Sequence, residues 1–502
     1  MKNLLYIFLL GFAPFLLSAE KPNIVIIYAD DLGYGDLSCL SSESKITTPH
    51  LDKLASEGMR FTDAHSSSGI CSPSRYALLT GNYHWRRQHG IVNAFGKPFF
   101  VDGEFTMASM LKAQGYHTAA IGKWHLGYDW DKVKKPGAKP KKMGRKMAYG
   151  ADAFDWSKTV PGGPLDRGFD YYFGDGTINF PPYCWMENDK AIVAPTEDLD
   201  LKGMKTKEGG WEFRPGPMVK DWNPYDVLPT LSKKSVEFIN KQSKDKPFFL
   251  YFALPSPHAP IIPNDEFDGK TKAGPYGDFV YQSDYVAGEV LKALKAKGLE
   301  ENTLIIFSAD NGPEKYAYPR IEKFNHVSMG KLRGLKRDIY EGGHRVPFIV
   351  KWPGKIKAGS VSNEVINQVD IMSTIAAIVG YKLSNDNAVD SYNILPVLKG
   401  EDYKSPLREA TIQNTFKDMY AVRKGNYVLI NGYTGQHSNA PASYHQKSGY
   451  PKPDKKGGPQ LFDLSSDLSQ KKDLAQDKPE MVKELQAILK KYREEGRSTP
   501  KR

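Results

Sequence analysis

The stretch Asn23-Ile24-Val25-Ile26-Ile27-Tyr28-Ala29-Asp30-Asp31 decides the fold. Its β-branched and apolar residues do not alternate with polar ones, the pattern of a strand buried on both faces in a parallel sheet. Comparable runs occupy 116–121, 247–254, 304–309 and 346–352. Between them the spacing predicts helices over 48–58, 106–114, 229–242, 281–297 and 370–379. Strands alternating with helices predict an α/β domain around a largely parallel sheet. Residues 160–225, rich in Gly, Pro and aromatic side chains, read as long loops laid over that sheet.

The large domain is expected to span 20–404. Beyond it, 420–423 and 427–430 flank Lys424-Gly425-Asn426 as a hairpin, and 460–464 form a short strand. Residues 479–495 form an amphipathic helix with Met481, Val482, Leu485, Ile488, Leu489 and Tyr492 on one side. A small α+β subdomain over 405–502 is therefore predicted. No internal repeat interrupts this plan.

The chain has 502 residues, 40% of them hydrophobic and 25% charged, which describes a globular protein with ample core. Its net charge of +11 favours anionic partners. Nucleic acid is not expected, because no arginine-rich tract, zinc-knuckle spacing or stacking motif accompanies that charge. The lysine-rich run 131–147 reads as a solvated loop or as a cationic lip for a polyanion. Met1-Lys2-Asn3, an apolar run from Leu4 to Leu17 and then Ser18-Ala19 form a signal peptide over 1–19. The apolar run falls short of the roughly 20 residues that span a bilayer, so export to the periplasm or beyond is expected, without membrane insertion. Three cysteines, Cys39, Cys71 and Cys184, are an odd number for an exported chain. With Cys71 set apart, the other two are either paired or buried thiols.

Four of the buried strands end in chemically capable residues: Asp30 and Asp31, Lys123 and His125, His258, and Asp310 with Asn311. Ligands of open α/β sheets bind outside the carboxyl ends of the strands, so parallel neighbours would gather these groups on one rim. Carboxylates about 4 Å apart repel by roughly 4 kcal/mol per pair at an effective dielectric of 20, so their convergence calls for a cation. The all-oxygen set Asp30, Asp31, Asp310 and Asn311 selects a hard ion. Calcium, which tolerates irregular geometry, is preferred over magnesium.

A further segment, Ser68-Gly69-Ile70-Cys71-Ser72-Pro73-Ser74-Arg75-Tyr76-Ala77-Leu78-Leu79-Thr80-Gly81, predicts a short helix. Ser72 is expected as its N-cap, Pro73 at the first helical position and Gly81 at its end. Cys71 then sits at a positive helix terminus with Arg75 one turn on, a place suited to a tetrahedral oxyanion.

The pattern Cys71-x-Pro73-Ser74-Arg75-x-x-Leu78-Leu79-Thr80-Gly81 resembles the first signature of the type I sulfatases. Gly115-Tyr116-His117-Thr118, followed by Gly122-Lys123-Trp124-His125-Leu126-Gly127, resembles the second. Asp30-Asp31, Pro257-His258-Ala259-Pro260, Asp310-Asn311-Gly312, Arg333-Gly334-Leu335-Lys336 and Leu461-Phe462-Asp463-Leu464 follow the family order, so the likeness runs from about 22 to 495.

This resemblance implies an alkaline-phosphatase-like large mixed sheet flanked by helices, with a smaller domain built on a four-stranded antiparallel sheet and a helix. It also implies that a formylglycine-generating maturation enzyme oxidises Cys71, and that residue 71 joins the calcium ligands and attacks sulfur. Arg75, Lys123 and Lys336 would neutralise the sulfate, His258 would protonate the departing alcohol, and His125 would take a proton from residue 71. In many relatives a serine of the loop at 174–179 contacts the sulfate. Here that loop reads Gly174-Asp175-Gly176-Thr177-Ile178-Asn179, and the contact is unassigned.

The region from Cys71 to His89 is most similar to bacterial relatives of arylsulfatase A and N-acetylgalactosamine-6-sulfatase. The expected substrate is accordingly a sulfated saccharide, of galactose or N-acetylgalactosamine 6-sulfate type. Trp85 is either a stacking surface for the sugar or a core residue. The alternatives are a phosphonate or phosphate ester hydrolase of the same superfamily and a non-catalytic glycan-binding relative.

Overall fold

The computed structural model describes residues 21–144, 146–199, 205–432, 434–435, 440–451 and 458–502. The expected signal peptide at 1–19 lies outside the described residues. Among the described residues, no helix is long and apolar enough to cross a membrane.

A ten-stranded mixed sheet forms the centre. In chain order its strands are β1 (Asn23–Ala29), β2 (Met59–Phe61), β3 (His117–Lys123), β4 (Tyr171–Gly176), β5 (Met186–Glu187), β6 (Lys190–Ala191), β7 (Phe248–Ala253), β8 (Thr303–Ala309), β9 (Phe348–Lys351) and β10 (Ser360–Ser362). Their spatial order is β10-β2-β9-β8-β1-β7-β3-β4-β5-β6. The five strands from β8 to β4 are mutually parallel, whereas β9 and β5 run antiparallel to their neighbours β8 and β4. Every residue of β1 is buried, as its unbroken apolar run requires, because both faces of the sheet carry a hydrophobic core. Ile24, Ile26 and Tyr28 face one core, and Val25 and Ile27 face the other.

Helices α1 (Pro49–Glu57), α2 (Cys71–Thr80), α3 (Met107–Ala113), α4 (Val227–Asn240), α5 (Gly274–Ala296) and α6 (Asp370–Ile378) lie close to their predicted positions, except that α5 begins seven residues earlier than predicted. Two readings change. Residues 160–225 are not all loop, since β4 joins the main sheet there with Tyr172, Phe173, Gly174 and Asp175 buried. Two glycines and an aspartate hid its strand character. The N-cap of α2 is Ile70, and Cys71 and Ser72 already belong to the helix. Ser72 Oγ instead donates to the His125 carbonyl and accepts from the Val92 amide, so tertiary partners claimed the hydroxyl that capping would have used.

The C-terminal part is a four-stranded antiparallel sheet, β11 (Thr411–Asn414), β12 (Tyr420–Lys424), β13 (Tyr427–Ile430) and β14 (Gln460–Asp463), covered by α7 (Pro479–Glu494). A buried ion pair from Arg423 of β12 to Asp63, two residues past the end of β2, joins it to the rest of the molecule. Trp85 packs in the same interface, stacked on Tyr83 and edge-on to Tyr420, and so belongs to the core. Cys39 and Cys184 are free thiols, the first half-buried and the second buried. The lysine-rich run includes an exposed hairpin, Lys141–Met143 with Lys146–Ala148.

Candidate active site

The parallel register brings the strand ends together. β1 lies between β7 and β8, so Asp30 and Asp31 sit between the His258 segment and the Asp310-Asn311 pair. Asp31 adopts φ 61°, a left-handed conformation that turns the chain sharply at the end of the strand. Its amide donates to Asp310 Oδ1 at 3.2 Å, and Asn311 Nδ2 donates to Asp31 Oδ1 at 2.7 Å.

Lys123 ends β3 just after a local slip of register against β4. Gly122 makes that slip possible. It has φ 107°, and a Cβ there would lie 2.0 Å from the Ala253 carbonyl oxygen. Lys123 Nζ pairs with Asp30 Oδ2, and Lys336 Nζ pairs with Asp31 at 2.7 Å. Arg75 reaches from the second turn of α2 and donates twice to Asp310 Oδ2, at 3.0 and 2.7 Å. Each carboxylate thus has at least one buried cationic partner from the protein itself.

Cys71 occupies the first turn of α2 and is fully buried, with Sγ 3.4 Å from Asp30 Oδ1. One ligand atom each of Asp30, Asp31, Cys71 and His258 lies within 4.8 Å of the others. Burial, then Asp30 and Asp310, push the Cys71 thiol well above its ordinary range. Burial would also raise the Asp30 carboxyl, but Lys123, His258 and Arg75 hold it well below the usual carboxylate value. Asp310 is pushed up to about 7 by burial and by Asp30.

His258 Nε2 is 3.6 Å from Asp31 Oδ2, and burial and Lys336 hold its imidazole below the ordinary range. His125, with φ 52°, hydrogen-bonds through Nε2 to the Val92 carbonyl at 2.9 Å. Its Nδ1 is buried without a partner among the described residues. The catalytic and metal-binding candidates proposed from the sequence therefore gather around this one rim.

The donor set suits a hard cation. Asn311 Oδ1 is buried and unpartnered among the described residues, Asp30 and Asp31 each place an oxygen in the cluster with Cys71 and His258, and Asp310 Oδ1 lies 3.2 Å from the Asp31 amide. The sequence reading missed Glu314, Arg337 and Tyr251. Glu314 is buried beside Lys336 and pairs with Arg337 at 2.5 Å, and Tyr251 Oη accepts from Arg75 at 3.3 Å. A tyrosine within an otherwise apolar strand was the available signal for Tyr251.

Residues 22–381 match the Sulfatase family model, and residues 335–440 match that of the N-sulphoglucosamine sulphohydrolase C-terminal region. An N-acetylgalactosamine-6-O-sulfatase of Bacteroides thetaiotaomicron is 34% identical, over 94% of this chain and 93% of its own. Human arylsulfatase A is 33% identical, over 91% of this chain and 84% of its own. A Bacteroides thetaiotaomicron sulfatase solved in work on glycosaminoglycan metabolism superposes with a TM-score of 0.78 at 32% identity, covering 95% of this chain and all of that one. With the family model covering most of its length and these relatives aligned nearly end to end, the chain belongs to the sulfatase family and is a sulfuric ester hydrolase.

Proposed function

We propose that the enzyme removes sulfate from a saccharide, a galactose- or N-acetylgalactosamine-type 6-O-sulfate, with Cys71 acting after oxidation to formylglycine. The observation that carries this reading is the placement of Cys71 in the first turn of α2, 3.4 Å from Asp30, at the rim shared by Arg75, Lys123, His258 and Lys336. A buried thiol with a raised pKa supplies no thiolate nucleophile. The hydrate of an aldehyde at the same position presents a hydroxyl for attack on sulfur. The choice of sugar rests on relatives named N-acetylgalactosamine-6-sulfatases and on the chain's positive charge. The leader at 1–19 favours export, and maturation requires a formylglycine-generating enzyme in the producing cell.

Asp30, Asp31, Asp310 and Asn311, with residue 71, would hold calcium, or less readily magnesium. When bound, the ion draws charge from the sulfate oxygens and lowers the pKa of the attacking hydroxyl. Lys123, Lys336 and Arg75 oppose the sulfate charge from fixed, water-poor positions, where such groups act most strongly. The free Nδ1 of His125 takes the proton from residue 71 when sulfate departs. His258 gives its proton to the leaving alcohol. Burial and Lys336 hold that imidazole below its ordinary range, and a sulfate anion beside it would act in the opposite direction.

Mass spectrometry of the peptide spanning residue 71, from enzyme made in a host with the maturation enzyme, is expected to show the aldehyde. An unmodified thiol in fully active enzyme would reject the scheme. Paired sulfate and phosphonate esters should show faster release of sulfate, and a phosphonate preference would favour that class of hydrolase instead.

A further inference from the structure

One group beside the site has no part in this chemistry. Asp175 is the penultimate residue of β4, in the loop where the family serine is missing, and it is only 4% exposed. Both of its carboxylate oxygens are buried without a hydrogen-bond partner among the described residues. Asn179 Oδ1, four residues on, is buried and unpartnered in the same way.

The next residue, Gly176, accepts through its carbonyl from the Trp124 and His125 amides at 3.0 and 3.3 Å. Those bonds fix Asp175 next to the catalytic strand end. Asp175 and His125 line one open pocket with a cavity volume of about 50 Å³, together with Asn93, Thr177, Phe180 and Trp130. Burial pushes the Asp175 carboxyl up to about 6.

A carboxylate so placed repels the sulfate itself and must face the neutral part of the substrate. The half-buried ring of Phe180 at this pocket offers an apolar surface of the kind a sugar ring packs against. Resting on the saccharide reading above, we infer that Asp175 is a specificity-determining residue that accepts hydrogen bonds from hydroxyl or amide N–H groups of the sugar bearing the sulfate. A sulfated saccharide satisfies both buried oxygens, whereas an aryl sulfate leaves them bare. Sites built around a buried polar partner reject analogues that lack the matching group far more strongly than apolar pockets do.

The experiment compares kcat/KM for a saccharide 6-sulfate and for 4-nitrophenyl sulfate in wild type, Asp175→Asn and Asp175→Ala. The saccharide-to-aryl ratio is expected to fall about ten- to hundredfold in both variants, because the lost bonds involve a charged acceptor. The aryl reaction reports in the same tube that each variant is folded and matured. A monodeoxy substrate lacking the contacted hydroxyl should be cleaved alike by wild type and Asp175→Asn. An unchanged ratio in variants of a wild type that cleaves both substrates overturns the role of Asp175 alone. A wild type that cleaves aryl sulfate but no saccharide sulfate overturns the saccharide reading and this role with it.

Discussion

Cys71 Sγ and Asp30 Oδ1 meet at 3.4 Å although 41 residues separate them in the chain. The contact joins the first turn of one helix to the end of the first strand. Around it three carboxylates and three cations are buried with almost no exposure to water. A site balanced in charge before any ion enters becomes strongly positive once a divalent cation binds, which suits an anionic ester.

Replacing Cys71 by alanine removes the group that is converted into the nucleophile. Sulfate release is expected to fall about 10⁴-fold or more, as when a covalent nucleophile is deleted elsewhere. Circular dichroism and the melting temperature should stay close to wild type, since only one sulfur is lost. Residual activity near the wild-type level would place the nucleophile elsewhere.

Calcium is expected to stabilise the fold as well as to support turnover. Ligand at a hundred times its Kd adds about 2.7 kcal/mol, so chelation should lower the melting temperature and re-added calcium should restore it. Asn311→Leu removes the unpartnered amide oxygen and should shift the calcium dependence to higher concentration. A melting curve indifferent to both chelator and calcium would remove the ion from the proposal.

Gly122→Ala is expected to be severe. Its new methyl would lie 2.0 Å from a backbone oxygen of β7, which cannot swing aside as a side chain could. The slip that delivers Lys123 to Asp30 would be lost, so activity should fall together with stability, by several kcal/mol for a strained and clashing core position. Denaturant unfolding measures the second effect independently of the first.

Glu314 should give stability an acid-sensitive component. Burial alone would raise its carboxyl above the ordinary 4.5, but Arg337 and Lys336 hold it at about 2. A depressed carboxylate contributes fully above its unfolded value of 4.5, and that contribution is lost as pH falls toward 2. Glu314→Gln should lower stability at neutral pH and flatten its decline between those values. Equal acid slopes for the two proteins, read from thermal unfolding, would contradict the assignment.

Much of this protein is legible in its sequence, for local reasons. Unbroken apolar runs such as Ile24–Ile27 can be satisfied only by burial on both faces, which dictates the parallel core and places polar residues at the strand ends. Residues 71–81 announce their helix, and Gly81 closes it with φ 69°. What the sequence left undetermined depends on groups far apart in the chain. Ser72 carries the chemistry of a cap, yet His125 and Val92 claim its hydroxyl. Three aspartates called for positive charge, and the fold sets Arg75, Lys123 and Lys336 against them. Asp175 looked like an ordinary loop aspartate, and only packing revealed that both its oxygens are buried and unanswered. Periodicity and turn chemistry act over a few residues, so the sequence alone can state them. Partnership in a low-dielectric interior is decided by which distant side chains arrive at the same point, and only the tertiary structure contains that.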